Sequence, residues 1–121
     1  MAIRTFAAID VGSYELGMKI FEVSRTRGIR EIDHVVRKID LGSETYATGK
    51  LSLHRIQEVR DILKEYRKIM DTYRVEEYQA YGTSAIREMT NASIILSQWE
   101  EENGIRIDVL TNSEQRFLDV K

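Results

Sequence analysis

Three extended runs, joined by turns too short to contain a helix, open the sequence and restrict the fold more than any other feature. Thr5 to Asp10 is a mostly apolar run that ends in an acid, Leu16 to Val23 alternates apolar with other residues, and Ile29 to Ile39 is rich in β-branched residues. Short turns join only antiparallel neighbours, because a parallel crossover needs about a dozen residues or more. This section therefore predicts a three-stranded antiparallel meander.

Two helices are predicted further along the chain. Ser52 is a typical N-cap residue, and the apolar residues from Ile56 to Tyr73 recur at spacings of three and four. Asn91 to Asn103 has a second helical pattern, and Gly104 is placed to terminate that helix. The side chains expected on the core faces of these helices are Ile56, Val59, Leu63, Tyr66, Tyr73 and Trp99.

Two short extended runs, Tyr78 to Gly82 and Ile105 to Leu110, alternate with these helices. The complete order is then β-β-β-α-β-α-β. It predicts an α/β domain with one mixed five-stranded sheet, in which three antiparallel strands are followed by α/β crossovers. Thr111 or Asn112 is placed to cap a further helix, but the chain ends at Lys121 with about two turns formed. We therefore expect a fragment of a longer protein.

Charge and composition argue against several function classes. Among 121 residues, 18 are Lys or Arg and 20 are Asp or Glu, so the formal net charge of -2 does not indicate a DNA or general polyanion binder. Cysteine is absent and only His34 and His54 are available as nitrogen ligands, which argues against a zinc site. No apolar run approaches the roughly 20 residues that span a bilayer, and no signal-peptide pattern is present. We predict a cytoplasmic protein without membrane contact.

A carboxylate at a strand end, followed by a turn of small residues, is the first candidate site. In the run Ile9-Asp10-Val11-Gly12-Ser13, Gly12 lets a phosphate approach the backbone and the Ser13 hydroxyl can donate to it. Asp10 can hold a hydrated divalent cation that neutralises the phosphate. The alternative is an ordinary hairpin turn in which Asp10 and Ser13 bond their own backbone.

A second candidate site lies where the predicted strand ending at Gly82 enters a helical turn. Thr83 and Ser84 form a small polar loop whose backbone N–H groups, together with the Arg87 guanidinium, would point at an anion. The alternative is a plain helix N-cap formed by Thr83 or Ser84, with Arg87 paired to a neighbouring acid.

Four motif blocks, in matching order and spacing, make the chain similar to the family of exopolyphosphatases and guanosine pentaphosphate phosphohydrolases. The blocks are Phe6 to Ser13, Leu41-Gly42 with Thr48 to Ser52, Gly82 to Glu88 with Asn91-Ala92, and Leu110 to Glu114. The resemblance implies a pair of actin-like, ribonuclease-H-like domains with the substrate in the cleft between them. Residues 1–121 resemble the N-terminal domain alone, incompletely, so we expect the second domain of the parent protein to be absent here.

The resemblance also implies roles for individual residues. Asp10 would lie near a Mg²⁺ ion. The residues expected around the phosphates are Gly12, Ser13, Tyr14, Thr83, Ser84 and Arg87. Tyr14 departs from the family pattern, which has a small polar Asn after the Gly-Ser pair, and its bulk would narrow the pocket or stack on a base.

The catalytic position also departs from the family pattern. The family has a stretch Ser-Gly-x-Glu-Glu-Ala-Arg whose second Glu is the proposed general base, whereas this chain has Glu114-Gln115 in that register. An amide cannot accept a proton from water at neutral pH, and general-base assistance contributes about 10²- to 10⁴-fold in rate. Glu114 is not a direct substitute, because adjacent helical residues point about 100° apart. Gln115 can still orient a water, as a catalytic glutamine does in GTPases.

Three functional hypotheses follow. The leading one is the N-terminal part of a phosphohydrolase that releases terminal phosphate from inorganic polyphosphate or guanosine pentaphosphate through magnesium-assisted attack of water. The fragment alone is expected to be inactive, and a homodimer of the full-length protein is left open. The second is a catalytically weak relative that binds polyphosphate or nucleotide as a sensor, motivated by Tyr14 and Gln115. The third is an ATP-dependent kinase of the same superfamily, which explains Asp10 but neither Arg87 nor Glu114.

Overall fold

Residues 2–111 and 113–114 are described by the computed structural model, and within them the chain forms a five-stranded sheet. The strands are β1 (Arg4–Val11), β2 (Glu15–Ser24), β3 (Gly28–Lys38), β4 (Glu77–Gly82) and β5 (Asp108–Val109). Their order across the sheet is β3-β2-β1-β4-β5. β1, β2 and β3 pair antiparallel, whereas β4 pairs parallel with β1 and β5 pairs parallel with β4. The predicted meander with α/β crossovers is confirmed.

Four helices are bounded within the described residues: α1 (Gly42–Thr48), α2 (Leu53–Tyr73), α3 (Ser84–Arg87) and α4 (Ala92–Asn103). α2 and α4 are the two predicted helices, and their caps are also as predicted. The Ser52 hydroxyl accepts a hydrogen bond from the Arg55 N–H at 3.3 Å. Gly104 ends α4 with a φ of 68°, a left-handed conformation that glycine adopts without a Cβ penalty.

Helix α1 is not anticipated by the sequence pattern. It begins where the Asp40 carboxylate accepts hydrogen bonds from the Ser43 N–H at 3.0 Å and from the Ser43 hydroxyl at 2.7 Å. These bonds hold the pKa of Asp40 below its usual value. The helix ends at Gly49, whose φ is 73°. Local hydrogen bonding by an Asp side chain, rather than a long apolar stripe, therefore defines this short helix.

The last strand is shorter than predicted. Two residue pairs join β5 to β4, although the alternation predicts a strand over Ile105 to Leu110. Ile105, Ile107 and Leu110 of that run are buried, whereas Val109 is 39% exposed, so burial follows the alternation only as far as Ile107. However, the Arg106 N–H donates to the Tyr78 hydroxyl at 3.0 Å instead of to a neighbouring strand, so the ladder begins only beyond it.

The hydrophobic core lies between one face of the sheet and the helices. Its members include Ala7, Ile9 and Val11 of β1, Val59, Leu63, Tyr66 and Met70 of α2, and Ile95 and Trp99 of α4. Trp99 is fully buried, as predicted, and its indole N–H donates to the Ile56 carbonyl at 3.1 Å. Ile56 itself is only half-buried, because the first turn of α2 lies at the margin of the core.

Tyr66 fastens α2 to the sheet through its hydroxyl. Its side chain is fully buried, and the hydroxyl donates to the backbone carbonyls of Leu16 at 2.9 Å and Val35 at 3.1 Å. Burial raises the pKa of Tyr66 to about 12. Tyr73 lies on the same helix but is half-buried, and its hydroxyl donates to the Asp33 carboxylate at 2.7 Å.

Tyr66→Phe is expected to lower the free energy of unfolding by roughly 1–3 kcal/mol, because two backbone carbonyls then lose a buried donor. Tyr73→Phe is the matched control and should cost less, since water can solvate the half-exposed Asp33 carboxylate. Urea unfolding measures both losses, and equal losses would contradict the assignment.

The stabilising contribution of neutral Tyr66 is fully present below about pH 10, where the phenol of the unfolded chain ionises. It is lost as the pH rises toward about 12, and Tyr66→Phe should lack this dependence.

Candidate functional site

The carboxyl ends of the parallel strands meet at one edge of the sheet. The Thr83 N–H donates to the Val11 carbonyl at 3.2 Å and joins the end of β4 to the end of β1. The Leu110 N–H donates to the Gly82 carbonyl at 3.0 Å and joins β5 to β4. Ligands of open α/β sheets bind at such edges. The motif blocks that contain Asp10, Gly82 and Leu110 are therefore brought together.

The turn after β1 is tight and is anchored to the segment that precedes α1. The Gly12 N–H donates to the Glu15 carbonyl at 3.0 Å, and a Cβ on Gly12 would lie 3.1 Å from that oxygen, so the turn favours glycine. The Ser13 carbonyl accepts from the N–H groups of Leu41 and Gly42, both at 2.8 Å. These bonds bring Leu41-Gly42, from the second motif block, to the same edge.

Three hydroxyl groups from separate segments form a cluster here, which we call the hydroxyl cluster: Ser13, Tyr46 and Ser84. The Ser13 oxygen lies 2.6 Å from the Tyr46 oxygen and 3.2 Å from the Ser84 oxygen, and the Tyr46 and Ser84 oxygens are 2.5 Å apart. Ser13 therefore bonds distant side chains, unlike the Ser of an ordinary hairpin turn. Each hydroxyl can donate to an anionic oxygen, so the cluster can hold a phosphate oxygen.

Tyr46 is a candidate site residue that the sequence pattern does not reveal, because α1 itself is not anticipated. Gly42 permits its approach: a Cβ on Gly42 would lie 2.9 Å from Tyr46 Cε2 and 3.2 Å from both Ser13 Cβ and Tyr14 Cζ. Such a Cβ would force the side chains to move. Tyr14, predicted beside a phosphate, packs over Gly42 next to the hydroxyl cluster and is exposed.

The junction between β4 and α3 is close-packed. A Cβ on Gly82 would lie 3.0 Å from three side-chain atoms of Ile86, so glycine lets α3 pack directly on the strand end. Thr83 occupies the N-cap position of α3 without forming a side-chain cap, contrary to one alternative for this motif. Its hydroxyl donates to the Val11 carbonyl at 3.4 Å instead. Ser84 instead belongs to the hydroxyl cluster. Thr83 and Ser84, predicted together as one anion-binding loop, therefore have different partners.

Arg87 connects α3 to the end of β5. Its Nη1 donates to the Leu110 carbonyl at 2.8 Å, and its side chain is partly buried. This bond fixes the strand end that leads to Glu114. A phosphate contact by Arg87, the role that the family resemblance implies, stays a prediction.

Thr111 and Glu114 form a reciprocal helix cap after β5. The Thr111 N–H donates to the Glu114 carboxylate at 2.9 Å, and the Glu114 N–H donates to the Thr111 hydroxyl at 3.1 Å. Of the two predicted caps, Thr111 therefore takes part. Hydrogen bonds from the Thr111 backbone N–H and from the Thr111 side chain hold the pKa of the Glu114 carboxyl below its usual value, which makes its carboxylate a weaker base. Gln115 lies outside the described residues, and its catalytic role stays a prediction.

An open cavity of about 340 Å³ lies on the sheet face opposite the core. Its lining includes the exposed Asp10 at the end of β1, Lys19 and His34 from the neighbouring strands, and Thr83. Within the described ranges, no group of three or more His, Asp or Glu side chains is arranged to hold a metal ion. Mg²⁺ is usually bound by one or two carboxylates together with substrate phosphates, rather than by a cage of protein side chains. A single carboxylate such as Asp10 is compatible with that kind of site.

The remaining polar candidates have ordinary surroundings. His34 is exposed on β3, and His54 on α2 lies 3.1 Å from the Glu58 carboxylate. The acidic run Glu100 to Glu102 is exposed at the end of α4. No helix in the described part of the chain has the length and hydropathy to span a bilayer.

Known proteins are similar to this chain in fold and in sequence. The structure of an Aquifex aeolicus member of the Ppx/GppA protein family superposes with a TM-score of 0.86 at 34% identity and covers 92% of this chain. A guanosine-5'-triphosphate,3'-diphosphate pyrophosphatase of Photobacterium profundum is 29% identical over 91% of the chain. Exopolyphosphatase 1 of Mycobacterium leprae is 24% identical over 91% of the chain.

These relatives are much longer than the chain. It spans 36% of the Aquifex structure, 22% of the Photobacterium protein and 32% of the Mycobacterium protein. The model of the Ppx/GppA phosphatase family matches residues 20–116, which include all four helices and the segment after β5. With most of its length matched in this way, the chain belongs to the Ppx/GppA phosphatase family.

Proposed function

We propose that the chain is the N-terminal part of a phosphohydrolase that releases terminal phosphate from inorganic polyphosphate or guanosine pentaphosphate. The observation that carries this proposal is the convergence of the family's four motif blocks on one sheet edge, where the hydroxyl cluster links the Ser13 turn to Ser84. The relatives named above act, by their names, on polyphosphate or on a guanosine carrying a 5'-triphosphate and a 3'-diphosphate. In both compounds a phosphoanhydride bond joins the terminal phosphate to the rest of a phosphate chain.

The residues at this edge have complementary roles in the proposal. The glycine backbone of Gly12 lets a phosphate come close, and the hydroxyls of Ser13 and Ser84 donate to its oxygens. Asp10 holds Mg²⁺ jointly with the substrate phosphates, and this ion supplies positive charge that neutralises the transferring group. Arg87 keeps the strand end before Thr111 in place through its bond to the Leu110 carbonyl, and its guanidinium contacts the phosphate chain, as the family resemblance implies.

A sensor function is the second candidate, and one observation favours it. The Glu114 carboxylate already accepts the Thr111 N–H, and its neighbour Gln115 has no carboxylate. Neither side chain is then a ready general base, so binding of polyphosphate or nucleotide without rapid hydrolysis fits this segment. Gln115 orients a water in the phosphohydrolase proposal, which predicts slow rather than absent hydrolysis.

Phosphate release from polyphosphate and from guanosine pentaphosphate by the full-length protein tests these candidates. Hydrolysis that requires Mg²⁺ and stops on addition of EDTA supports the phosphohydrolase. Tight polyphosphate binding without release supports the sensor, and transfer of phosphate from ATP to an acceptor supports the kinase.

The 121-residue chain alone is expected to hydrolyse neither substrate at an enzymatic rate. Stabilising a transferring phosphoryl group needs preorganised charges on both of its sides, and the chain spans only about a third of its structural relative. The same phosphate-release assay on the purified chain measures this. Turnover near one per second, abolished by Asp10→Asn, would contradict the need for a second domain.

A further inference from the structure

Two tyrosine rings converge beside the hydroxyl cluster. Tyr14 follows Ser13 directly, and Tyr46 lies on α1. Both rings approach the same point above Gly42, with Tyr46 Cε2 at 2.9 Å and Tyr14 Cζ at 3.2 Å from the place where a Cβ would be. The absence of a side chain at Gly42 therefore leaves room for a pair of rings, which we call the tyrosine pair.

The tyrosine pair is open to solvent. Tyr14 is 59% exposed and Tyr46 is 50% exposed. Among the residues that the structure describes, the large hydrophobic side chains with high exposure are Ile3, Tyr14, Ile29, Tyr46, Leu53, Ile94 and Val109. The two aromatic members of this set lie side by side, next to the turn proposed to hold phosphate. Their exposed faces leave an aromatic surface beside this turn that a planar ligand can contact.

The Tyr46 ring is also held in place before any ligand binds. Its hydroxyl is hydrogen-bonded to Ser13 at 2.6 Å and to Ser84 at 2.5 Å, so the ring has a fixed end. A ligand that packs on a held ring loses less conformational freedom of the protein on binding. The tyrosine pair is thus preorganised at one end by the same hydroxyls that can contact phosphate.

The chemistry of the rings discriminates between the two substrate classes. The face of an aromatic ring carries partial negative charge, so it gives no favourable contact to a bare polyphosphate chain. A nucleobase, in contrast, has an aromatic face that stacks on tyrosine. A nucleotide whose α-phosphate contacts the Ser13 turn has its base only one ribose unit away from that phosphate, within reach of the ring that follows Ser13. The tyrosine pair therefore suits a substrate with both a phosphate chain and a planar base.

We propose that Tyr14 and Tyr46 form a base-stacking subsite, and that the protein consequently prefers a guanine nucleotide bearing several phosphates over inorganic polyphosphate. This inference rests on the proposed phosphohydrolase function and assigns its substrate class. Tyr14 contributes a ring face alone, whereas Tyr46 contributes both a ring and a hydroxyl. Tyr14 is therefore the cleaner position for a test.

The experiment compares Tyr14→Leu, Tyr14→Phe and the unaltered full-length protein on guanosine pentaphosphate and on inorganic tripolyphosphate. Tyr14→Leu should raise KM for the nucleotide by about 5- to 150-fold through lost stacking, with kcat changed by less than about twofold. Its KM for tripolyphosphate should rise much less than its KM for the nucleotide, because a phosphate chain gains no stacking on the ring. Tyr14→Phe keeps the ring and should behave like the unaltered protein on both substrates. Ile29→Ala, at an exposed position on β3, is the surface control.

Two kinetic outcomes would overturn the inference: a parallel rise in KM for both substrates, or an unchanged KM for the nucleotide in Tyr14→Leu. If the full-length protein hydrolyses neither compound, the proposed phosphohydrolase function fails while the subsite is still tested. Calorimetric titration with Mg²⁺ present then gives Kd for guanosine pentaphosphate and for tripolyphosphate. Weaker nucleotide binding confined to Tyr14→Leu supports the subsite, and equal Kd values for both compounds in the unaltered protein contradict it.

Discussion

Replacing Gln115 by Glu in the full-length protein is expected to raise kcat by about 10²-fold or more, with KM nearly unchanged. The family resemblance implies a general base at this position, and the family-model match covers residues 20–116. A carboxylate accepts a proton from the attacking water, whereas the amide of Gln115 does not. Because a base acts mainly in the transition state, its introduction appears in kcat rather than in KM. Phosphate release under saturating substrate measures the change.

Glu114→Gln is the matched control for this variant. The Glu114 side chain accepts the Thr111 N–H in the reciprocal cap after β5, and a Gln at that position keeps an acceptor for the same bond. We therefore expect kcat to change little. If Gln115→Glu leaves the rate unaltered while Glu114→Gln removes it, the register is wrong by one residue and Glu114 is the base.

Asp10→Asn is expected to reduce kcat/KM of the full-length protein by about 10³-fold. Charge stabilisation by a bound metal contributes several kcal/mol to such reactions, and each 1.4 kcal/mol corresponds to a factor of ten. Asn has the size of Asp but lacks the negative charge that holds Mg²⁺. Phosphate release across a Mg²⁺ titration measures both the rate and the concentration at which the ion saturates.

Asp40→Asn controls for the loss of a negative charge at the same sheet edge. Asp40 caps α1 through Ser43, and an Asn oxygen can accept these bonds in its place, so activity should be retained. Full activity of Asp10→Asn, with an unchanged Mg²⁺ requirement, would contradict the metal role of Asp10.

The sheet and its long helices could be predicted because they depend on local patterns. The alternation in β2 and the stripe along α2 each reflect which side chains are buried, and Ser52 and Gly104 mark helix ends by their own chemistry. The motif positions Ser13 and Ser84 could be predicted as polar groups at strand ends. Their mutual approach depends on pairing between β1 and β4, whose parallel register is a tertiary property.

Tyr46 could not be predicted, because two conditions outside its local pattern bring it to the site. Helix α1 forms through the Asp40 cap, and the bare backbone of Gly42 admits the ring. The length of β5 has a similar explanation: the bond from Arg106 to the Tyr78 hydroxyl replaces a ladder bond, and alternation alone does not reveal such a competitor. The tyrosine pair could therefore not be predicted from Tyr14 alone, because the position of its second member, Tyr46, depends on these two conditions.

The hydroxyl cluster joins positions that are far apart in the chain, so it forms late when the chain folds during synthesis. Ser13 and Ser84 are 71 positions apart, and closing so long a loop costs entropy before the contacts repay it. The meander can pair as soon as Lys38 has left the ribosome, because its strands are neighbours in sequence. A nascent chain at that stage carries the Ser13 turn without its hydroxyl partners. The hydroxyl cluster therefore becomes complete only after α3 has been synthesised and has docked.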